Sequence, residues 1–172
     1  MVPQNIQIGD GIATGEIGSV CVVIWRKDVT WPRFRLQEEA ANEVVGRHRG
    51  RAAVMCIVEP TSAPPTEELR RAASQALLKV GSDLKCVACV IEGTGFRAAI
   101  VRSVLSGIAF LTSGKSAPLS YFATTAAALA WMARFVEVGV TADFVGAVEG
   151  IRKQLAPFSA ETSGGATGAG GL

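Results

Sequence analysis

Histidine is almost missing from this sequence: His48 is the only one in 172 residues. A single imidazole supports neither a histidine-rich metal cluster nor a Ser-His-Asp or Cys-His catalytic apparatus. Charge is scarce too, at 19% of residues with a formal net charge of +2. So small an excess, without a basic stripe interleaved with aromatics, argues against nucleic acid as a partner. The run Arg47-His48-Arg49-Gly50-Arg51 reads as a solvated helix end, where cations complement the helix dipole. No stretch supplies the roughly 20 apolar residues of a membrane helix, because the most apolar one, 98–111, carries Arg102. Stable membrane insertion is therefore not expected. The opening MVPQNIQIGDGI lacks the basic-then-apolar order of a secretory signal. The expectation is a cytoplasmic protein whose four cysteines are reduced thiols rather than a disulfide framework.

What is abundant is apolar. Hydrophobic residues make up 49% of the chain, enough for one domain with a substantial core. Residues 84–112, LKCVACVIEGTGFRAAIVRSVLSGIAFLT, read as a buried strand, a glycine turn and a long apolar helix over 96–112. Around this unit, 6–14 and 19–25 predict an N-terminal β-hairpin, with Glu16-Ile17-Gly18 as its turn. Pro32 opens a helix with Leu36, Ala40, Ala41, Val44 and Val45 on one face. Ala52 to Val58 is the next buried strand, and the proline-rich 59–65 ends it. A helix follows from Thr66 to Gly81. Beyond 112 come a short strand at 119–123, a helix from Thr124 or Thr125, and a last amphipathic helix from Thr141 to Leu155. The fold class is α/β: a single domain with a mixed, mainly parallel sheet, an N-terminal hairpin and helices on both faces. Residues 1–156 form the domain, and 157–172 read as a flexible glycine-rich tail.

Several chemical motifs dissolve on inspection. Gly93-x-Gly95-x-x-Ala98 has the form of a dinucleotide fingerprint, but no acidic residue stands about twenty positions on for a ribose. A tight turn at a helix start remains, with Arg97 and Arg102 near enough to assist a small anion. Cys86 and Cys89 have CxxC spacing inside an apolar strand, where residues three apart point to opposite faces, so they read as small hydrophobes. Ser113-Gly114-Lys115-Ser116 has Ala109 where a phosphate loop needs glycine. Glu59 and Glu92 end adjacent buried strands and face one crevice at the carboxyl edge, where open α/β sheets bind ligands. They read as a paired acid/base or, more ordinarily, as caps of the following helices. No metal, no cofactor and no catalytic set is implied.

Glu92-Gly93-Thr94-Gly95-Phe96, together with the segment Tyr121 to Leu129 and the order of elements, resembles the STAS domain family of bacterial anti-sigma-factor antagonists. In that family an acidic-Ser-Ser/Thr-Gly-Leu turn carries a hydroxyl that a cognate kinase phosphorylates. The resemblance implies Thr94 as phosphoacceptor, with Gly93, Gly95 and Arg97 around it and Glu92 as the preceding acid. The family's turn follows the first crossover strand, which here ends at Glu59-Pro60-Thr61-Ser62, so Thr61 and Ser62 stand as alternative acceptors. The implied function is a non-enzymatic regulatory module that meets another protein, a kinase or regulator. An alternative is a small-molecule or lipid-binding carrier with its site between 59–65 and 93–97. A homo-oligomeric interface built from Trp31, Phe34, Phe110, Trp131 and the face of helix 141–155 is a further expectation.

Overall fold

The computed structural model describes residues 1–94, 99, 103 and 117–155. The helix expected over 96–112, with Gly95, Arg97, Arg102 and Phe110, and the tail from 157 lie outside the described residues. Six strands form one sheet in sequential order. They are β1 (Gln4–Gly9), β2 (Ile12–Ile17), β3 (Val20–Trp25), β4 (Ala52–Val58), β5 (Leu84–Ile91) and β6 (Leu119–Phe122). The pairs β1–β2 and β2–β3 are antiparallel, and the three pairings from β3 to β6 are parallel. The α/β single-domain reading therefore holds.

The antiparallel N-terminal hairpin is present as well, and it runs to three strands, β1, β2 and β3. Glu16 and Ile17, read as a turn, lie inside β2, and the turn falls one step later at Gly18, with φ at 61°. Gly15 looks like a breaker because its reason is tertiary. A Cβ there would stand 2.7 Å from Cδ1 of buried Ile151.

Four described helices cover the sheet. On one face lie α1 (Trp31–Arg47) and α2 (Glu67–Val80), over Cys21, Val23, Trp25, Val54, Val87 and Cys89. On the other lie α3 (Thr125–Met132) and α4 (Thr141–Arg152), over Val22, Ile24, Met55, Ile57, Ala88 and Val90. The alternation along each strand sends its residues to the two faces in turn. Helix ends follow local chemistry. The Thr66 hydroxyl accepts from the Leu69 amide at the start of α2, and Gly81, at φ 57°, ends that helix. Thr124 caps α3 in the same way, accepting from the Ala127 amide.

The expected oligomeric face of 141–155 is spent inside the domain. Phe144, Val148 and Ile151 are fully buried against α3 and the sheet. Trp131 packs between Phe122 and Phe135, and Phe34 is buried edge-on to Trp31. Of the four described aromatic and helical candidates, Trp31 alone keeps a large exposed surface.

Candidate functional site

Parallel register brings three charged residues into one row. Trp25, Val58 and Ile91 are partners across β3, β4 and β5. Arg26, Glu59 and Glu92 each stand one residue further, at the carboxyl edge. The ladder continues to them, with the Glu59 amide donating to Trp25 O and the Glu92 amide to Val58 O. By alternation they share the parity of Ile24, Ile57 and Val90, and so point to the α3–α4 face. There they meet Arg152, in the last turn of α4.

The contacts form a closed ion network. Arg26 Nε donates to Glu59 Oε2 at 2.7 Å and its Nη2 to Oε1 at 3.1 Å. Arg152 Nη1 donates to both Glu59 Oε1 (2.7 Å) and Glu92 Oε2 (3.0 Å), and its Nη2 to Glu92 Oε1 (2.7 Å). Arg152 Nε reaches Glu149 at 3.1 Å, and Arg26 Nη1 donates to the Leu155 carbonyl at 3.2 Å. Hydrogen bonding to Glu59 pushes Arg26 further up from its ordinary value. Burial works to lower Arg152, but its bonds and attraction to Glu92, Glu149 and Glu59 outweigh that and raise it. The two glutamates do share one crevice, as their strand-end positions imply. Every carboxylate oxygen of the pair receives a guanidinium hydrogen, so the arrangement works as a staple between sheet and helix.

The hydroxyl candidates separate clearly. Thr94 is exposed, two residues past Glu92, and Gly93 before it adopts φ 89°. A Cβ on Gly93 would meet Pro60 Cγ at 3.0 Å, so the 59–65 and 92–94 loops pack together there. Thr61 Oγ1 donates to Arg26 O at 2.5 Å. Ser62 is buried, its Oγ donating to Lys27 O at 3.0 Å. Both hydroxyls tie the proline loop to the end of β3. Gly95 and Arg97 lie outside the described residues.

Four features escaped the sequence reading. Arg26 follows its buried strand directly, as Glu59 and Glu92 follow theirs, and that shared position was the available signal. Arg152, sixty positions beyond Glu92, carried none. His48, expected to lack a partner, meets Glu16 at the amino edge. Glu16 is buried and surrounded: Asn5 Nδ2 and Arg47 Nη2 donate to Oε2 at 2.7 Å each, and His48 Nε2 lies 2.7 Å from Oε1. Asn5 takes φ 50° where β1 changes register, and its side-chain amide reaches Glu16 from there. The basic run is an exposed helix end, as read, and its first two residues also clamp β2.

Burial acts to raise the Glu16 carboxyl, but the bonds from Asn5, His48 and Arg47 outweigh it and hold it below the ordinary carboxylate range. A carboxyl lowered in the folded state stabilises the fold above its unfolded value, near 4.5, and the contribution disappears as pH falls through the folded value. Glu16→Gln is thus expected to cost about 1.5–3 kcal/mol at pH 7, the range for hydrogen bonds to charged groups. The gap from wild type should shrink as pH drops below the unfolded value. Urea denaturation between pH 7 and 3 reads this directly, and a gap independent of pH would refute it.

Three of the four thiols, Cys21, Cys86 and Cys89, are buried, and Cys56 is half-buried. Burial pushes Cys21 and Cys86 up to about 12. Cys89 is raised by the hydrogen bond its thiol donates to its cross-strand partner Cys56 and by burial. Cys86 and Cys89 belong to opposite faces of the sheet. Among the described residues, no group of three His, Cys, Asp or Glu side chains is placed to hold a metal ion. No described helix is long and apolar enough to cross a membrane. The chain matches no family model, no curated protein and no solved structure.

Proposed function

We propose that this chain is a non-enzymatic regulatory module of the bacterial cytoplasm, acting through contact with another protein and switched by phosphorylation of Thr94. The position of Thr94 carries the reading: exposed, and two residues from the carboxylate that holds the end of α4. A phosphate on Thr94 brings nearly two negative charges and three strong acceptor oxygens. It repels Glu92 and competes with it for Arg152, an arginine already divided between two carboxylates. Releasing or re-aiming the last turn of α4 then changes the surface that a kinase or regulator meets. The likeness of Glu92 to Phe96 to the STAS turn supports the same residue. Thr61 and Ser62 are poorer acceptors, since their hydroxyls are engaged and Ser62 is buried.

Protein isolated from its own cells, digested and analysed by mass spectrometry, is expected to carry phosphate on the peptide containing Thr94. Thr94→Ala should abolish it. Peptides over 59–62 and 92–95 that remain unmodified in every growth phase would dismiss the switch.

A further inference from the structure

Among the described residues, the face opposite the ion network holds a cleft. Beneath α2, between it and α1, a cleft of about 160 Å³ opens over the sheet. Its floor is Val54, Cys56, Val87 and Cys89, and Trp25, Phe34 and Tyr121 supply aromatic wall. The cause is side-chain size. Helix α2 turns Ala73 and Ala76 toward a floor of valines and cysteines, and short groups facing short groups leave volume between them. Leu69 is the only apolar side chain of α2 that is fully buried; Leu77 and Val80 are half-buried. On the floor, the Cys89 thiol is pushed up by its hydrogen bond with Cys56 and by burial.

We infer that this cleft is a binding site for a compact, neutral aromatic molecule of one or two rings with a single hydrogen-bond donor. An apolar cavity of about 150 Å³ stays dry and accepts benzene, so the size fits one ring within and a second toward the mouth. Neutrality follows from the described lining, which is apolar apart from Gln37, Glu38, Asn42 and Ser62 and so gives a charge seated on the floor no partner there. The donor follows from the rim, where Glu38 and Gln37 of α1 supply acceptor oxygens. Gln37 also accepts from the Trp25 indole at 2.9 Å, which fixes that ring as a wall. The site is independent of the Thr94 switch and lies on the other face of the sheet from Arg152.

Indole is the probe, with benzene as the donorless control. Indole at about ten times its Kd is expected to raise the Tm of the full chain saturably by about 3 °C. Benzene should bind more weakly. The cavity-filling variants Ala73→Leu and Ala76→Leu should each raise the ligand-free Tm and remove the indole response. Should one of them fail to fold, the other decides. Methyl chemical-shift mapping on the wild type should place the perturbations at Val54, Val87 and Leu69. The inference is overturned by an absent or unsaturable shift, by an equal shift in wild type and filled variants, or by perturbations mapping elsewhere.

Discussion

Phe144→Ala is expected to lower the folding free energy by about 3–5 kcal/mol, the range for removing a fully enclosed aromatic ring. Phe144 has no exposed surface and is the bulkiest of the fully buried side chains. It lies in the first turn of α4 and shares a core with Leu129 and Met132 of α3 and the inner face of the sheet. Neighbours so placed belong to a helix and strands that are themselves fixed, so the void collapses only in part. A domain of this kind has about 5–15 kcal/mol of stability in total, so the loss removes a fifth or more. Equilibrium urea denaturation should show a lower midpoint with an unchanged slope. Phe144→Leu should cost less than half as much, and Leu78→Ala, on the exposed side of α2, should stay within about 0.5 kcal/mol of wild type. A loss below about 1 kcal/mol for Phe144→Ala would mean that α4 is not anchored as described.

The elements that sequence alone delimits are those whose cause is local. The runs 52–58 and 86–91 are unbroken and apolar, and strands appear over 52–58 and 84–91. Thr66 and Gly81 frame α2 by the capping chemistry of their own side chain and backbone. What stayed hidden has causes far along the chain. Gly15 and Glu16 look like turn residues, yet one makes room for Ile151 and the other is satisfied by Asn5, Arg47 and His48. A buried carboxylate in a strand is legible only with its cations in view. The candidate site divides in the same way. Glu59 and Glu92 follow from the register of adjacent strands, and Thr94 from the turn after them. That Arg152 bridges the two carboxylates depends on where α4 ends, and helical periodicity does not specify this.

The two edges of the sheet also obey one rule. At the amino edge Glu16 takes Arg47 from the last turn of α1; at the carboxyl edge Glu59 and Glu92 take Arg152 from the last turn of α4. In both, a cation placed where the helix dipole favours it is drawn onto a carboxylate of the sheet. The dipole and the ion pair act in the same direction, which fixes the axial position of each helix.

Arg152→Met tests the carboxyl-edge staple, and it is expected to cost about 3 kcal/mol, the lower end for removing one partner of a buried ion pair. The lower end applies because the Glu92 side chain keeps 28% of its surface. The methionine preserves most of the aliphatic stem, so the loss reports charge and hydrogen bonds rather than packing. Without the guanidinium, Glu59 retains Arg26, but among the described residues Glu92 faces it with no intervening cation. That repulsion identifies the compensating change. Glu92→Gln alone should cost about 1 kcal/mol, and Glu92→Gln/Arg152→Met should be more stable than Arg152→Met. The double-mutant coupling should fall between about 1 and 2 kcal/mol. Amide hydrogen exchange adds a local readout: in Arg152→Met, protection should fall at 148–152 while the β4 and β5 amides keep theirs relative to global stability. A cost under about 0.5 kcal/mol, or additive single and double variants, would show that the arginine sits beside the carboxylates without holding the helix to the sheet. It would also remove the mechanism proposed for a phosphate on Thr94.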